Sequence, residues 1–167
     1  MSLMCLCIVE NVLDEDRLYF IQQLEILAKH HNRGIKFFVD WDEPFMSHIQ
    51  EGAFIVNVLD SPTSNNCEWF LLPDGWSFNG ISEKVPFRER TKFLQEICSI
   101  INGRKYSVEL YLGESGTDPG KFLNIILENK NLVEYLTKTI GMSGADDIVH
   151  ISVFQRTVPR LQEREGI

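Results

Sequence analysis

The sequence has few of the features that mark nucleic-acid-binding or membrane-spanning proteins. Basic residues are outnumbered, with 16 Lys and Arg against 24 Asp and Glu, which gives a formal net charge of -8. Because a field of this sign repels phosphate backbones, nucleic acid is not expected as a partner. No apolar run approaches the ~20 residues that a membrane-spanning helix requires, so we expect no membrane association.

Cysteine is scarce as well, and the spacing of the four cysteines argues against a disulfide framework or a metal-binding loop. No pair has the Cys-x-x-Cys spacing that closes such a loop, and free cysteine is among the most buried residue types. We therefore interpret the cysteines as small buried hydrophobic residues. The N-terminal residues lack both a basic segment and a long apolar core, so we expect no signal peptide and a cytoplasmic location.

The apolar content is high enough for a compact core. Hydrophobic residues make up 44% of the 167 residues, and phenylalanine alone occurs 11 times. A chain of this length fits one domain, since single domains commonly contain about 100 to 200 residues. We expect residues 1–155 to form a single α+β domain and residues 156–167 to form a charged C-terminal tail.

Hydrophobic periodicity predicts a succession of strands and helices. Strands are predicted over residues 3–9, 35–41, 53–59, 67–72, 106–112 and 148–154. Helices are predicted over residues 14–31, 87–101 and 122–140, with a break in the last one near 129–131. This order is neither a strict βαβ alternation nor all-β. It predicts an α+β fold, with an antiparallel or mixed β-sheet and about three helices packed on one face.

The first predicted helix has recognisable boundaries and an apolar face. Asp14 is the predicted capping residue at its start, and Gly34 is the predicted C′ glycine beyond its end. The predicted buried face consists of Leu18, Ile21, Leu24, Leu27 and Ala28.

The segment 113–121 has the setting of a phosphate-binding loop, because it follows a predicted strand, precedes a predicted helix and contains Gly-Lys. Its details do not fit that function. Phe122 stands where the magnesium-binding Ser or Thr belongs, and Pro119 has no amide donor. We interpret the segment as a turn in which Asp118 caps the following helix and Pro119 takes its first position, and we predict no cofactor.

The four histidines do not have a zinc-binding spacing. His150 alternates with Val149 and Ile151, which predicts that its side chain faces the polar side of the last strand.

Carboxylates follow the second predicted strand. Asp40 and Asp42 would point to the same side if the strand continues, and Asp60 follows the next strand along the chain. Carboxylate oxygens are the ligands that hard cations such as Mg²⁺ prefer, and paired carboxylates can also share a proton for acid/base chemistry. These three residues are a candidate metal site, although each of them also suits a solvated turn.

Aromatic residues are concentrated in the central third of the chain. Most of them are expected in the core, but neighbouring residues of a strand point to opposite faces, which leaves some of them exposed. An exposed tryptophan with a charged surround has the composition of a protein interface. The candidate partner-binding residues are Asp40, Trp41, Asp42, Glu43, Glu68, Trp69 and Trp76.

These observations favour a non-enzymatic module that binds a protein partner of basic character. In its size, its acidity and its lack of a catalytic signature, the chain resembles bacterial immunity or antitoxin proteins, which bind and block another protein. Two alternatives remain open: a metal-dependent hydrolase or transferase that uses Asp40, Asp42 and Asp60, and a symmetric homo-oligomer formed through an exposed strand or through the predicted helix at 122–140.

Overall fold

A computed structural model describes residues 3–38, 49, 52–59, 87–114, 121–139 and 147–156. Its strands are β1 (Leu3–Val9), β2 (Gly34–Phe38), β3 (Phe54–Leu59), β4 (Val108–Glu114), β5 (Lys121–Glu128) and β6 (Asp147–Phe154). Its helices are α1 (Asp14–His30), α2 (Phe87–Asn102) and α3 (Leu132–Thr139), and the 3-10 turn Asn129–Asn131 precedes α3. The described part of the chain therefore combines helices and strands in an α+β fold, as the sequence predicts.

The six strands form one mixed sheet in the order β2-β3-β1-β4-β6-β5. Neighbouring strands are antiparallel except β5 and β6, which are parallel. A parallel pair needs a crossover connection, and the segment between β5 and β6 contains α3. The prediction of an antiparallel or mixed sheet is confirmed.

The main hydrophobic core lies between the helices and one face of the sheet. Its strand residues alternate along each strand, as the pleat requires, and include Cys7, Val56, Leu110 and Ile151. The helices contribute buried side chains to the same cluster: Phe20 and Leu24 from α1, Leu94 and Ile97 from α2, and Leu132 and Leu136 from α3. The prediction that the helices pack on one face of the sheet is thus confirmed.

The opposite face of the sheet is apolar and buried in one half and polar in the other. In the β2-β3-β1 half, Leu6, Ile8, Ile55 and Leu59 form a second buried cluster with Ala53 and Tyr111. In the β4-β6-β5 half this face is polar, and on β5 Ile126 is 78% exposed. The chain therefore presents an open, mostly polar sheet surface at one end of the sheet.

Helix α1 begins differently from the prediction. Its N-cap is Leu13, which makes no side-chain capping hydrogen bond, and Asp14 is its first helical residue. The prediction that Asp14 caps the helix was wrong. The Leu13 N–H instead donates to the hydroxyl of Tyr106 over 3.1 Å, a long-range contact that local sequence patterns do not reveal.

Helix α1 ends in a Schellman motif. Asn32 has a positive φ of 54°, its N–H donates to the carbonyl of Lys29, and the N–H of Arg33 donates to the carbonyl of Ala28. Asparagine is the residue other than glycine that most readily adopts this left-handed conformation. Asn32 therefore holds the C′ position that the sequence assigned to Gly34, and Gly34 instead begins β2.

The predicted helix at 122–140 was wrong in its first half. Residues 121–128 form β5, which pairs with β6 along its full length, and only Leu132–Thr139 are α-helical. The apolar run in this segment fits helical spacing and period-two alternation equally well, and pairing with a distant strand decides between them. Because β5 is a strand, the segment 113–121 does not lead into a helix N-terminus.

No helix among the described residues is both long and apolar enough to cross a membrane.

Candidate functional site

The site residues predicted from the sequence lie outside the described part of the chain. They are Asp40, Trp41, Asp42, Glu43, Asp60, Glu68, Trp69 and Trp76. Both the aromatic partner-binding surface and the candidate metal site therefore stay predictions. Within the described ranges, no group of three or more His, Cys, Asp or Glu side chains is arranged to hold a metal ion.

A network of polar side chains occupies the open half of the sheet. Strands β4, β6 and β5 place Tyr111, His150 and Asn124 in one row across the sheet, and Glu109 lies opposite Ser152 in the next row on the same face. Nε2 of His150 lies 2.7 Å from Oε2 of Glu109, and Nδ1 lies 2.9 Å from Oδ1 of Asn124. Ser152 donates to the other carboxylate oxygen of Glu109 over 2.9 Å. His150 faces the polar side of its strand, as its alternation predicts.

Tyr111 forms one wall of this polar network. Its ring stacks on the imidazole of His150 with centroids 4.5 Å apart and an interplanar angle of 2°. Burial, together with the charges of Glu109 and Glu10, raises the pKa of Tyr111 to about 12. The phenol therefore stays neutral at physiological pH, and no negative charge develops beside the Glu109 carboxylate.

The polar network is closed. Both oxygens of the Glu109 carboxylate and both ring nitrogens of His150 already have partners within the protein. General base catalysis needs a nitrogen or carboxylate oxygen within hydrogen-bond reach of a substrate proton. The network instead has the features of a structural connection that fixes the register of β4, β6 and β5.

The start of α1 is held to the rest of the fold by a second network. Tyr106 donates to Oδ2 of Asp16 over 2.7 Å, and Nη1 of Arg104 lies 3.5 Å from Oδ1 of the same carboxylate. The pKa of Tyr106 is raised. The N–H of Leu13 is the largest single influence and lowers it, but burial, the hydrogen bond to Asp16 and the charges of Asp16 and Glu15 together outweigh it.

Helix α1 carries exposed apolar side chains beside these acidic residues. Leu13 is 59% exposed, and Leu18 and Ile26 are each 64% exposed. The sequence placed Leu18 on the buried face, which was wrong, since the buried residues of the helix are Asp16, Phe20, Leu24 and Ala28. An apolar centre with a polar, solvent-accessible rim is the usual arrangement of a protein-binding surface.

A polar recess lies beside α2, at the end of β5. It has a volume of about 400 Å³ and is lined by Gln95, Ser99, Glu128, Asn129, Lys130, Gln155 and Arg156. The Glu128 carboxylate pairs with Lys130 at 3.3 Å and with Arg156 at 3.1 Å. The buried amide of Asn129 donates to Ser99 over 2.6 Å, while its oxygen has no hydrogen-bond partner. The mixed signs of the lining charges do not indicate one class of ligand.

The described cysteines are inert core residues. Cys5, Cys7 and Cys98 are free and buried, as predicted from the sequence. Burial, with a smaller contribution from Cys7, raises the pKa of the Cys98 thiol well above its usual value. Since the thiolate is the reactive form, Cys98 is a poor nucleophile.

Sequence reasoning missed both the polar network and the exposed face of α1. Glu109 and His150 are 41 positions apart, so no local motif connects them, although strand alternation assigns each to a polar face. Comparison with protein-family models, with curated proteins and with solved structures found no match.

Proposed function

We propose that this chain is a non-enzymatic, cytoplasmic protein-binding module that docks a basic partner on α1. The observation that carries the proposal is Leu13, a large apolar side chain that is 59% exposed at the N-cap of the helix. Ser, Thr, Asp or Asn at this position stabilises a helix by about 1 kcal/mol relative to an aliphatic residue. Positions where a sequence departs from the stabilising choice are commonly functional.

The surroundings of Leu13 support a basic partner. Asp14 and Glu15 are exposed in the first helical turn, and Leu18 lies one turn further along the same exposed side. The N–H of Leu13 lowers the pKa of Tyr106, and burial, the hydrogen bond to Asp16 and the smaller contributions of the Asp16 and Glu15 charges raise it. Apolar anchors within an acidic surround favour a partner surface that carries Lys or Arg around an apolar pocket.

The overall charge supports the same proposal. A net charge of -8 accelerates encounter with a basic protein by electrostatic attraction. The resemblance in size and acidity to bacterial immunity and antitoxin proteins is in keeping with a chain that acts by binding and blocking another protein. The central residues from Asp40 to Trp76 remain part of the proposed surface as a prediction from the sequence.

Site-specific crosslinking tests the proposal. A photoreactive amino acid is placed at Leu18, and in a matched variant at Ile126, which is also a large apolar residue, is 78% exposed and lies on β5. Crosslinking is performed in the source cells, and the captured protein is identified by mass spectrometry and then purified for binding measurements. We expect capture of one basic protein from the Leu18 position and not from the Ile126 position.

The purified pair then gives the decisive comparison. We expect affinity to fall by about 10-fold or more when Leu18→Ser is introduced, and to fall with added salt, because the contact combines apolar burial with charge attraction. Equal capture from both positions, or an affinity that neither the variant nor salt changes, would contradict the proposal.

The metal-dependent alternative is distinguished by ligand titration. Binding of Mg²⁺, Mn²⁺, Ca²⁺ or Zn²⁺ to the folded chain at about 100 times its dissociation constant raises stability by ~2.7 kcal/mol and therefore the thermal midpoint. A shift that disappears in the Asp40→Asn and Asp42→Asn double variant would support the hydrolase or transferase. No shift with any of the four ions would leave the binding module as the supported function.

A further inference from the structure

The exposed side of α1 has large apolar residues placed symmetrically about its centre and charges of opposite sign at its two ends. The exposed residues are Asp14, Glu15, Leu18, Gln22, Glu25, Ile26, Lys29 and His30. We call this set the α1 stripe. Asp14 and Glu15 stand at its start, Lys29 and His30 stand at its end, and Glu25 lies between Gln22 and Ile26. The two large apolar residues lie at equal distances on either side of Gln22. A surface of this kind is complementary to an inverted copy of itself.

We propose that a second copy of this chain packs on the α1 stripe, with the two α1 helices antiparallel across a two-fold axis at Gln22. In this arrangement Leu18 lies at the same height as Ile26 of the second copy, and Glu15 at the same height as Lys29 of the second copy. Each contact occurs twice, as an isologous interface requires. Gln22 faces its own equivalent, where two amide groups can exchange hydrogen bonds.

Glu15 and Lys29, which face each other in this arrangement, have no competing ion pair within the described part of the chain. Among the described residues, neither Glu15 nor Lys29 takes part in an ion pair, whereas Asp16 is already engaged by Arg104. A parallel arrangement would bring Glu15 against Glu15 and Lys29 against Lys29. Like charges at these positions disfavour that orientation, so the charge pattern selects the antiparallel one.

The size of the stripe limits the strength of the dimer. Helix α1 has 17 residues and is therefore about 25 Å long. A single helix pair of this length buries less than the ~1,600 Å² of a standard interface. We therefore expect a weak dimer that dissociates on dilution.

The dimer would regulate the proposed binding surface. This step rests on the proposed function, because the second copy covers Leu18, Asp14 and Glu15, the residues assigned to the basic partner. Lys29 and His30 of the second copy supply the basic groups that the partner would otherwise supply. Partner and second copy therefore exclude each other, and the dimer is the partner-free form.

Sedimentation equilibrium of the purified full chain tests the dimer. The apparent mass should rise with concentration from 19.3 kDa towards twice that value. The Leu18→Ser and Ile26→Ser double variant should weaken the dimer at least about 10-fold, because each chain loses two apolar side chains from the interface. Ile126→Ser, which removes an exposed apolar residue on β5, should leave the dimer unchanged. Circular dichroism confirms that each variant is folded.

A charge exchange gives the sharper test. Glu15→Lys and Lys29→Glu should each weaken the homodimer, because each places like charges opposite one another. An equimolar mixture of the two single variants should restore dimerisation, since both ion pairs then form between unlike chains. The double variant that carries both changes should also dimerise on its own.

The outcomes are separable from those of the crosslinking experiment. A chain that is monomeric up to about 1 mM, or a dimer that the charge exchange does not affect, overturns the inference. Because sedimentation uses the purified chain alone, that result leaves the partner proposal untouched. Conversely, a dimer that behaves as described, together with equal capture from Leu18 and Ile126, overturns the proposed function while the dimer stands.

Discussion

Nε2 of His150 on β6 lies 2.7 Å from Oε2 of Glu109 on β4, and 41 residues separate them in the sequence. The pair connects two antiparallel strands on the open face of the sheet, and Ser152 and Asn124 complete its hydrogen bonds. A contact of this kind between distant strands contributes to the cohesion of the whole sheet.

We expect a double-mutant cycle of Glu109→Ala and His150→Ala to give a coupling energy of about 1 kcal/mol in urea unfolding. The reason is that both side chains are largely shielded from solvent. The matched control is the pair Glu134 and Lys138, which has the same 2.7 Å separation but is exposed on α3. Its coupling should be smaller, because solvent screens the charges of an exposed pair. Equal coupling in the two pairs would contradict the structural role of the sheet network.

Tyr111 predicts a loss of stability at high pH. Its pKa is raised from the ordinary value of 10.0 to about 12, so the unfolded chain gives up this proton first as the pH rises. The stability that Tyr111 contributes is therefore fully present below about pH 10 and is lost as the pH approaches about 12. In Tyr111→Phe, the free energy of unfolding should fall less steeply across this window. Absorbance titration at alkaline pH should likewise show one late tyrosine fewer in this variant than in the natural chain.

Leu13→Ser should stabilise the protein. Serine at the N-cap accepts a hydrogen bond from a free backbone N–H of the first helical turn, which leucine does not, and we expect a gain of about 1 kcal/mol. The same change at Leu18, an exposed position inside the helix, should alter stability by less than about 0.5 kcal/mol. Urea midpoints measure both. If the Leu13→Ser variant is less stable than the natural chain, Leu13 has a structural role.

Asn32 should not tolerate a residue with a Cβ and no local hydrogen-bonding group. Because its φ is 54°, Asn32→Ala should cost about 1 kcal/mol, while Asn32→Gly should be neutral or stabilising. Thermal unfolding of the two variants gives the comparison. Equal midpoints would mean that α1 does not end in the Schellman motif.

The fold class was predictable because the apolar pattern is unambiguous in most elements. Strand β1 is a continuous apolar run, and Leu6 and Cys7 are buried on opposite faces of the sheet. The segment 121–128 was not predictable, since its apolar residues satisfy helical and strand spacing together, and pairing with β6 decides the outcome.

The candidate surfaces were less predictable than the fold. Periodicity treats an apolar residue as buried, so it assigned Leu18 to the core although most of its side chain is exposed. Glu109 and His150 have no local motif, and only the strand order brings them together. The N-cap is Leu13 and not the predicted Asp14. The N–H of Leu13 donates to the hydroxyl of Tyr106, which lies 93 residues further along the chain.

We expect the exposed apolar residues of α1 to serve binding and not stability. The most direct measurement is the affinity of Leu13→Ser for the basic protein captured at Leu18, made beside the unfolding free energy of the same variant. We predict that affinity falls about 10-fold while stability rises by about 1 kcal/mol, because the leucine is retained for the partner at the expense of the helix. An affinity equal to that of the natural chain would show that Leu13 does not take part in binding.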